Sequence, residues 1–429
     1  MGVTGRVSIA GGGTDAADVG RGPKMEADER FLCLASCEKG QDFLRQCAEM
    51  GVKTTLLTLE TSREGDWPRD ALEDLATMPA GLTGEQILNT VSWMARGRRF
   101  DRIVALDEED LETAALIREH MRLPGMGLTT AGSFRDKLAM RAMARAFNYR
   151  VPEFCRVLNY DELREFMHRV PAPWLLKARR GGSAETRRID EPEQLWRALG
   201  ELGDAQSRYL LEQFLAGEIF CVDSIVNNSE VKFATVYACG RALAPGFEQE
   251  AVQTTRTVDR ASREATELIA IDSGLVPEMG MVRGITHAEF IRADADGRFY
   301  FVEIGANAGL ADLVETATGV NLWREWARLE VGHLRREKYA LPGSFEEYAG
   351  SILWPSQAAE LDSAAMIDPI FNDPAIVKRV SNCRPMGKHL QAGVIVRAAT
   401  AERVKELLDG YSALFEQQRL AAKPLAPAL

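Results

Sequence analysis

The sequence predicts an α/β protein, with an open parallel sheet in its first part and mixed α+β structure after it. Three observations lead to this prediction. Residues 29–125 alternate short apolar strands with amphipathic helices, an order that is typical of a parallel sheet. From about residue 130 the order changes, and strands follow one another across hairpin turns. Hydrophobic residues make up 46% of the 429 residues and charged residues 27%, proportions that suit a protein with a large core.

The first part begins at Phe31. The preceding residues 1–28 are rich in Gly, Asp and Arg and contain little apolar material, so we predict a flexible tail there. We assign residues 29–125 to an N-terminal α/β domain. Its apolar pattern predicts strands at 31–35, 54–59 and 102–106, and helices at 40–50, 84–96 and 110–121.

The rest of the chain is richer in strands. The pattern predicts strands at 174–177, 209–212, 218–226, 231–237, 287–292 and 300–304, between helices at 136–147 and 321–335. The last part has predicted strands at 351–354 and 392–397 and a helix at 401–416, which together suggest a small α+β cap.

The composition argues against several classes of protein. The 63 acidic side chains outnumber the 52 basic ones, and a net charge of −11 disfavours binding to a nucleic-acid backbone. No segment reaches the roughly 18 uninterrupted apolar residues of a membrane span, and no signal-peptide pattern is present. Seven cysteines without a Cys-x-x-Cys pair predict buried free thiols rather than a disulfide framework or a zinc site. We therefore expect a cytoplasmic protein with neither nucleic-acid nor membrane partners.

Two glutamates flank a predicted hairpin. Glu289 and Glu303 lie in alternating segments on either side of a turn that contains Asp296 and Gly297. Antiparallel pairing across this turn would bring both carboxylates to one face of the sheet, within reach of a shared cation such as Mg²⁺. A solvated hairpin with outward-facing glutamates is an equally good interpretation of this segment alone.

Two lysines lie close to glycines or helix starts. Lys177 ends an apolar run, where a charge is costly unless it has a partner. The glycines at 181 and 182 and the serine at 183 follow it, and the backbone donors of such a loop can fold over phosphates. Lys137 begins a helix with further basic residues at 141 and 145. Taken singly, each lysine is more often a surface residue than a ligand.

A third segment joins two strands through a short link. Residues 210–218 run from an apolar strand through Leu215 to Glu218. The backbone of such a link can pair with the edge of an adenine ring, and a carboxylate beyond it can accept hydrogen bonds from ribose hydroxyls. A plain strand–turn–strand explains the same residues.

In this order, these segments resemble the ATP-grasp superfamily, in its carboxylate–amine ligase branch of the L-amino acid type, over roughly residues 30–420. The segments that carry the resemblance are Asp-Lys at 136–137, Trp-Leu-Leu-Lys at 174–177 with Gly-Gly-Ser at 181–183, Leu-Glu-Gln-Phe-Leu-Ala-Gly-Glu at 211–218, His-Ala-Glu-Phe at 287–290, Phe-Val-Glu-Ile-Gly-Ala-Asn at 301–307 and Ala-Thr-Gly-Val-Asn-Leu at 317–322.

The resemblance implies a three-part architecture. It places an ATP-grasp domain at 126–340, with a smaller lobe at about 150–215, and a C-terminal α+β part at 341–429. It also implies the roles of individual residues. The ATP phosphates would be contacted by Lys137 and Lys177, beneath a loop that contains Gly181, Gly182 and Ser183. Adenine would bind to backbone atoms of Glu212 and Leu215, and ribose to the carboxylate of Glu218. Mg²⁺, normally two ions, would be held by Glu289 and Glu303, with Mn²⁺ as a substitute.

The resemblance further implies an ATP-dependent ligase. Such an enzyme activates a small carboxylic acid as an acyl phosphate and joins it to an amine, with release of ADP and phosphate. This branch suggests two amino acids as one pair of substrates. It also suggests a homodimer as one form of assembly. An ATP-grasp enzyme with a thiol or a bicarbonate-type substrate, and a nucleotide-binding protein without turnover, are the alternatives.

Two positions depart from the family pattern. Gly305 stands where a metal-binding Asn is frequent, and Asn307 stands where many amino-acid ligases have an Arg for the substrate carboxylate. We predict that Asn307 replaces the missing metal ligand through its amide oxygen. Arg256 and Arg283 are then candidates for the anion-binding residue, although a surface role suits each of them. No catalytic role is assigned to His287.

Overall fold

The computed structural model describes residues 28–181, 186–241, 252–343, 347–354, 370, 372–382 and 391–422. The predicted tail lies outside these residues, except for Asp28. Within them the chain forms a parallel four-stranded sheet, an antiparallel four-stranded sheet and an antiparallel eight-stranded sheet. This architecture confirms the predicted α/β class.

The parallel sheet has the strand order β3-β2-β1-β4. Its elements, in chain order, are β1 (Arg30–Ala35), α1 (Gln41–Glu49), β2 (Lys53–Leu59), β3 (Asp74–Met78), α2 (Gly84–Met94), β4 (Arg102–Ala105) and α3 (Leu111–Met121). All strands and helices predicted for this part are confirmed. The sequence does not predict β3, because it is a short edge strand whose side chains are mostly half-buried and therefore form no apolar run.

Two helices, α4 (Leu128–Ser133) and α5 (Lys137–Ala146), connect this sheet to the next. The carboxylate of Asp136 begins α5 by accepting hydrogen bonds from the backbone N–H groups of Leu138 and Ala139. Such a cap satisfies donors that the first turn of a helix leaves without partners. Lys137 is thereby fixed as the first residue of the helix.

The antiparallel four-stranded sheet has the order β5-β8-β6-β7. Its elements are β5 (Phe154–Arg156), α6 (Tyr160–Arg169), β6 (Trp174–Ala178), β7 (Arg187–Ile189), α7 (Pro192–Leu202) and β8 (Tyr209–Gln213). We call residues 154–213 the small lobe. It has a hydrophobic core of its own, in which Leu163, Phe166 and Leu195 from the helices meet Trp174 and Leu211 from the sheet.

The large sheet is antiparallel and has the order β13-β12-β9-β10-β11-β14-β16-β15. Its strands and helices are β9 (Gly217–Asn227), β10 (Glu230–Arg241), β11 (Gln253–Thr257), α8 (Arg263–Glu278), β12 (Arg283–Ala293), β13 (Phe299–Gly305), α9 (Ala311–Thr318), α10 (Leu322–Arg335), β14 (Tyr348–Trp354), β15 (Ile376–Asn382), β16 (Gln391–Ala398) and α11 (Ala401–Ala422). The last three strands therefore extend this sheet and do not form a separate one.

Helices cover both faces of the large sheet. On one face, Leu268 of α8 belongs to the same core cluster as Phe220 of β9. On the other, Leu329 of α10 clusters with Cys221, the next residue along β9. We call these the α8 face and the α10 face. The parallel sheet packs beside the α10 face through α1, where the rings of Phe43 and Trp326 meet edge to face with their centroids 5.1 Å apart.

None of the described helices combines the length and the apolar character that a membrane span requires.

Candidate functional site

The hairpin of β12 and β13 carries two carboxylates. Glu289 is the direct cross-strand partner of Glu303, which confirms the pairing predicted from the sequence. Because Glu289 is also paired with Cys221 of β9, and paired residues share a face, both carboxylates lie on the α10 face. Their side chains are 39% and 35% exposed, so a cation can reach them from solvent.

Lys137 connects this hairpin with the glycine loop. Its side chain is largely buried, and its Nζ atom donates hydrogen bonds to Glu303 Oε1 and to the carbonyl oxygen of Gly181, both at 2.8 Å. The start of α5, the hairpin and the beginning of the loop therefore meet at one ammonium group. Gly182 and Ser183, which the sequence places in the same loop, lie outside the described residues.

Lys177 of β6 is held by a buried carboxylate. Its Nζ atom lies 2.7 Å from Glu212 Oε1, and the other oxygen of Glu212 is 2.7 Å from the guanidinium of Arg141. Glu212 is 2% exposed and Arg141 is fully buried. Burial by itself would raise the pKa of Glu212, but Arg141 and Lys177 outweigh it and hold the pKa below the usual range. The three side chains form an ionic triad in which Arg141 and Glu212 are buried and Lys177 is 12% exposed.

Arg141 is a site residue that the sequence analysis treats only as part of a basic helix face. It lies one turn after Lys137 on α5, and it also donates a hydrogen bond to the backbone carbonyl of Val302, next to Glu303. The signal was therefore present as a spacing of four residues, which places two side chains on one side of a helix. Only the fold shows that this side is buried.

The connection between β8 and β9 joins two strands, as the sequence pattern predicts, but Glu218 beyond it faces away from the paired carboxylates. Leu215 is half-buried in the three-residue connection beyond Glu212. Glu218, by contrast, bonds to Arg292 at 2.7 Å and shares the α8 face with Phe220, two residues along β9. The structure therefore does not bring the carboxylate of Glu218 to the face that carries Glu289.

The two candidate anion-binding arginines also lie elsewhere. Arg256 pairs with Ala238 of β10, which pairs with Phe220, so it projects from the α8 face and lies 3.9 Å from Glu218. Arg283 is on the α10 face but six residues before Glu289, about 20 Å along the strand. Its Nε atom is 3.3 Å from Glu330, in a cavity of about 350 Å³ between the parallel sheet and β12. The structure therefore brings neither arginine together with the paired carboxylates of Glu289 and Glu303.

Asn307 lies close to the hairpin. Its Nδ2 atom donates a hydrogen bond of 2.9 Å to Glu108, just beyond the end of β4. A Cβ atom at Gly305 would lie 3.2 Å from both polar atoms of the Asn307 amide. The amide thus folds back over Gly305, close to the place where a side chain at position 305 would begin.

His287 is a second residue that sequence analysis did not assign. It lies two residues before Glu289 on β12, so the two share a face. Its Nδ1 atom is 2.9 Å from Asp223 Oδ1, and its Nε2 atom is 3.7 Å from Glu289 Oε1. Burial opposes protonation of the ring, but Asp223 and Glu289 prevail and raise the pKa of His287 well above its usual value. The period of the strand was the signal that could have identified it.

The charges around the hairpin favour the ionised form of Glu289. Burial would raise the pKa of Glu289, but His287, Lys137 and Lys177 together lower it below the ordinary value. Two carboxylates on adjacent strands provide the oxygen ligands that Mg²⁺ prefers. The lysines beside them provide charge for phosphate oxygens. The residues present therefore fit a nucleotide phosphate chain with its metal.

The chain is similar to known proteins in both sequence and structure. No model of a known protein family matches the chain. An L-arginine-specific L-amino acid ligase of Bacillus subtilis is 21% identical over 242 residues, which are 54% of this chain and 58% of that protein. The match therefore spans less than two thirds of that relative's length.

Solved structures also match nearly the whole chain. An L-amino acid ligase from Bacillus licheniformis has a TM-score of 0.73 at 18% identity, over 90% of this chain and 98% of that one. An N5-carboxyaminoimidazole ribonucleotide synthetase in complex with ADP has a TM-score of 0.69 at 14% identity, over 92% and 98%. At these identities the likeness establishes the fold.

Proposed function

We propose, from the ATP-grasp fold that this chain shares with these enzymes, that it is an ATP-dependent ligase joining a small carboxylic acid to an amine. The carboxylate would attack the γ-phosphorus of ATP and release ADP, and the resulting acyl phosphate would be attacked by the amine. Phosphate would then leave and an amide would form. Two amino acids are the proposed substrates, since the curated relative is named as an L-amino acid ligase.

The strongest support for this proposal is the position of four charged side chains. Lys137, Lys177, Glu289 and Glu303 come from α5, β6 and the β12–β13 hairpin, yet they gather where the small lobe meets the large sheet. Phosphoryl transfer depends mostly on positioning and on stabilising negative charge, and these are the side chains that such a task needs.

Lys137 would change partners when ATP binds, whereas Lys177 would keep its contact with Glu212 while it binds the phosphates. Each now holds a carboxylate at hydrogen-bond distance, Glu303 in one case and Glu212 in the other. Phosphate oxygens can replace the Glu303 carboxylate at Lys137, which leaves Glu303 available to a cation. Gly181, already bonded to Lys137 through its carbonyl, would then lie close to the phosphates.

Glu289 and Glu303 are the proposed ligands of Mg²⁺. The metal would neutralise charge on the phosphates when bound. We propose two ions, as the ATP-grasp resemblance implies, with Mn²⁺ as an alternative.

We further propose that Asn307 supplies the metal ligand that Gly305 cannot. The position of its amide over Gly305 supports this, because the amide lies next to the place from which an asparagine at 305 would reach the metal. Glu108 bonds the amide nitrogen, and an amide oxygen is a suitable ligand for Mg²⁺. The homodimer and the cytoplasmic location stay predictions.

The first experiment measures ADP release with Mg-ATP and pooled amino acids, with mass spectrometry of the products. We expect ADP and a product with the mass of acid plus amine minus water. AMP would contradict an acyl-phosphate mechanism, and ADP release that needs a thiol or bicarbonate in place of an amine would favour the alternative substrates. ATP binding without turnover under any of these conditions would favour a nucleotide-binding protein.

The Glu303→Gln variant tests the metal assignment. It keeps the size of the side chain but removes the ionised ligand, so we expect turnover to fall at least about 100-fold. Glu230→Gln is the matched control, since Glu230 is an exposed glutamate at the far end of β10. Similar activities of the two variants would exclude Glu303 as a metal ligand.

A swap of positions tests Asn307. We expect Asn307→Ala to raise the Mg²⁺ concentration needed for half-maximal turnover, and the double variant Gly305→Asn, Asn307→Ala to restore much of the loss. Failure of the double variant to recover, with a normal melting temperature, would show that Asn307 acts through Glu108 and not through the metal.

A further inference from the structure

Four side chains suited to a soft metal lie together on the α10 face. Cys221, Cys239 and His287 come from β9, β10 and β12, and Glu289 follows His287 on the same strand. One ligand atom from each of Cys221, His287 and Glu289 lies within 4.8 Å of the other two. The sulfur atoms of Cys221 and Cys239 are 2.7 Å apart. Thiolate, imidazole and carboxylate are the ligand types of protein zinc sites.

The imidazole is oriented as a metal ligand would be. Asp223, which is fully buried, holds Nδ1 of His287 at 2.9 Å, and this leaves Nε2 on the side of Glu289. In zinc proteins the ligating histidine almost always donates its other ring N–H to such a carboxylate or carbonyl. The backbone of Gly309 also packs on the ring, since a Cβ there would lie 2.4 Å from two of its atoms. The ring is thus fixed from two sides.

We propose that Cys221, His287 and Glu289 bind a thiophilic divalent cation, of which Zn²⁺ fits best, with Cys239 as the fourth ligand. Zinc takes four ligands in a tetrahedron, and two sulfurs on one zinc ion lie roughly 3.8 Å apart, so the cysteine side chains need to separate by about 1 Å. Mg²⁺ does not suit this set, because it prefers oxygen. The metal would replace the proton on Nε2 of His287.

Zinc at this position would inhibit the enzyme, an inference that rests on the proposed function. Glu289 is shared between the proposed Mg²⁺ site and the zinc cluster, and one carboxylate facing a bound zinc ion is a poorer ligand for Mg²⁺. Among Cys221, His287 and Glu289, the side chain of Glu289 is the most exposed, so the ion would enter from the side of the nucleotide site. Zinc and Mg-ATP would therefore compete.

The sequence contains no local signal for this cluster, and its cysteine spacing predicts that no zinc site is present. Cys221 and Cys239 are 18 residues apart, and His287 is farther still along the chain. They become neighbours only because β9 lies between β10 and β12 in the large sheet. The cluster therefore depends on strand order, which no local motif encodes.

The first test measures binding without any activity. The full chain, kept reduced with a phosphine, is titrated with Co²⁺ and then with Zn²⁺ against a chromophoric chelator. We expect one cobalt per chain with the near-ultraviolet absorption band of a cobalt–thiolate bond, and displacement of that cobalt by one equivalent of zinc. Absence of the band, or binding without it, would overturn the proposal.

Variants identify the ligands. We expect Cys221→Ser to remove most of the cobalt–thiolate band, and Asp223→Asn to weaken zinc binding about 10- to 100-fold by releasing the imidazole. Cys155→Ser is the matched control, because Cys155 lies in the small lobe on β5. Unchanged zinc affinity in Cys221→Ser, or an equal loss in Cys155→Ser, would contradict the assignment. Circular dichroism of each variant confirms that it is folded.

A separate measurement tests inhibition. Turnover of each protein is expressed relative to its own rate without zinc. We expect the zinc concentration that halves turnover to be at least about tenfold higher in Cys221→Ser than in the unsubstituted chain. A chelator should restore activity. Equal inhibition of both would overturn the inhibitory role. If the chain has no ligase activity, the cobalt and zinc titrations still decide whether the metal site exists, so the two proposals fail separately.

Discussion

At the scale of single residues, Asp272 is a buried acid whose environment disfavours its charge. It lies on α8, is fully buried against the large sheet, and accepts a hydrogen bond from the hydroxyl of Ser224. Burial, with a smaller contribution from the nearby Asp223, raises the pKa of Asp272 to about 7, although Ser224 acts in the opposite direction. In the unfolded chain the same carboxyl ionises near pH 4. The folded state therefore keeps a proton that the unfolded state loses.

Asp272→Asn tests this difference. Between about pH 4 and pH 7 the folded state binds more protons at this position than the unfolded state, so its contribution to stability falls as the pH rises. We expect the free energy of unfolding of the variant, relative to the unsubstituted chain, to increase over that range by up to about 4 kcal/mol and then to level off. Urea unfolding at a series of pH values measures it.

The control for this prediction is Asp204→Asn, at an exposed position in the small lobe. Its difference from the unsubstituted chain should vary little with pH. A constant difference for Asp272→Asn across the same range would show that the carboxyl of Asp272 is ionised in the folded protein, and that some unseen partner stabilises its charge.

At the scale of secondary-structure elements, the triad of Arg141, Glu212 and Lys177 joins α5, β8 and β6. Through the hydrogen bond of Arg141 to Val302 it also reaches β13. Placing charges in a protein interior is costly, and such a set is stable only when each member is paired. The same contacts set the position of Lys177, which we propose as a phosphate ligand. Local stability and substrate binding thus depend on one carboxylate.

Glu212→Gln should show both consequences. Loss of the negative charge leaves the buried Arg141 and the partly buried Lys177 without their anionic partner. We therefore expect the free energy of unfolding to fall by about 3 kcal/mol and the KM for ATP to rise. Glu153→Gln is the matched control, since Glu153 precedes β5 and pairs with Arg145 and Arg169 while 40% exposed; its loss should cost less than about 1 kcal/mol. Equal losses in the two variants would mean that the triad adds nothing beyond a surface ion pair.

The sequence predicts those features that depend on local pattern. Alternation across the turn at Gly297 predicts the pairing of Glu289 with Glu303, and the structure confirms it. Glu218 and Arg256 are different, because only the register of β9, β10 and β11 decides which face each side chain takes. A strand shifted by one residue would reverse that result. Pattern alone therefore finds many of the strands and turns, but it assigns a side chain to a site only when its partner strand is known.

At the scale of the whole molecule, the hydrophobic cores are distributed unequally. The parallel sheet and the α10 face share a core, in which Phe31 and Phe43 cluster with Leu329. The small lobe instead has a core formed by its own residues, such as Phe166 and Leu211. Segments with separate cores can open separately, each with its own free energy. The proposed nucleotide site lies where these two parts of the chain meet.

Hydrogen exchange measured by mass spectrometry tests this division. We expect the amides of β6 and β8 to exchange through an opening of lower free energy than those of β9 and β12. A nonhydrolysable ATP analogue with Mg²⁺ should bridge Lys177 on the small lobe and Glu303 on the large sheet. At an analogue concentration 100 times its dissociation constant, we expect the opening free energy of β6 and β8 to rise by about 2.7 kcal/mol. In Glu303→Gln the same analogue concentration should protect these strands less. If all four strands exchange together with and without the analogue, the small lobe does not open as a unit, and the nucleotide cannot stabilise it by closing it onto the large sheet.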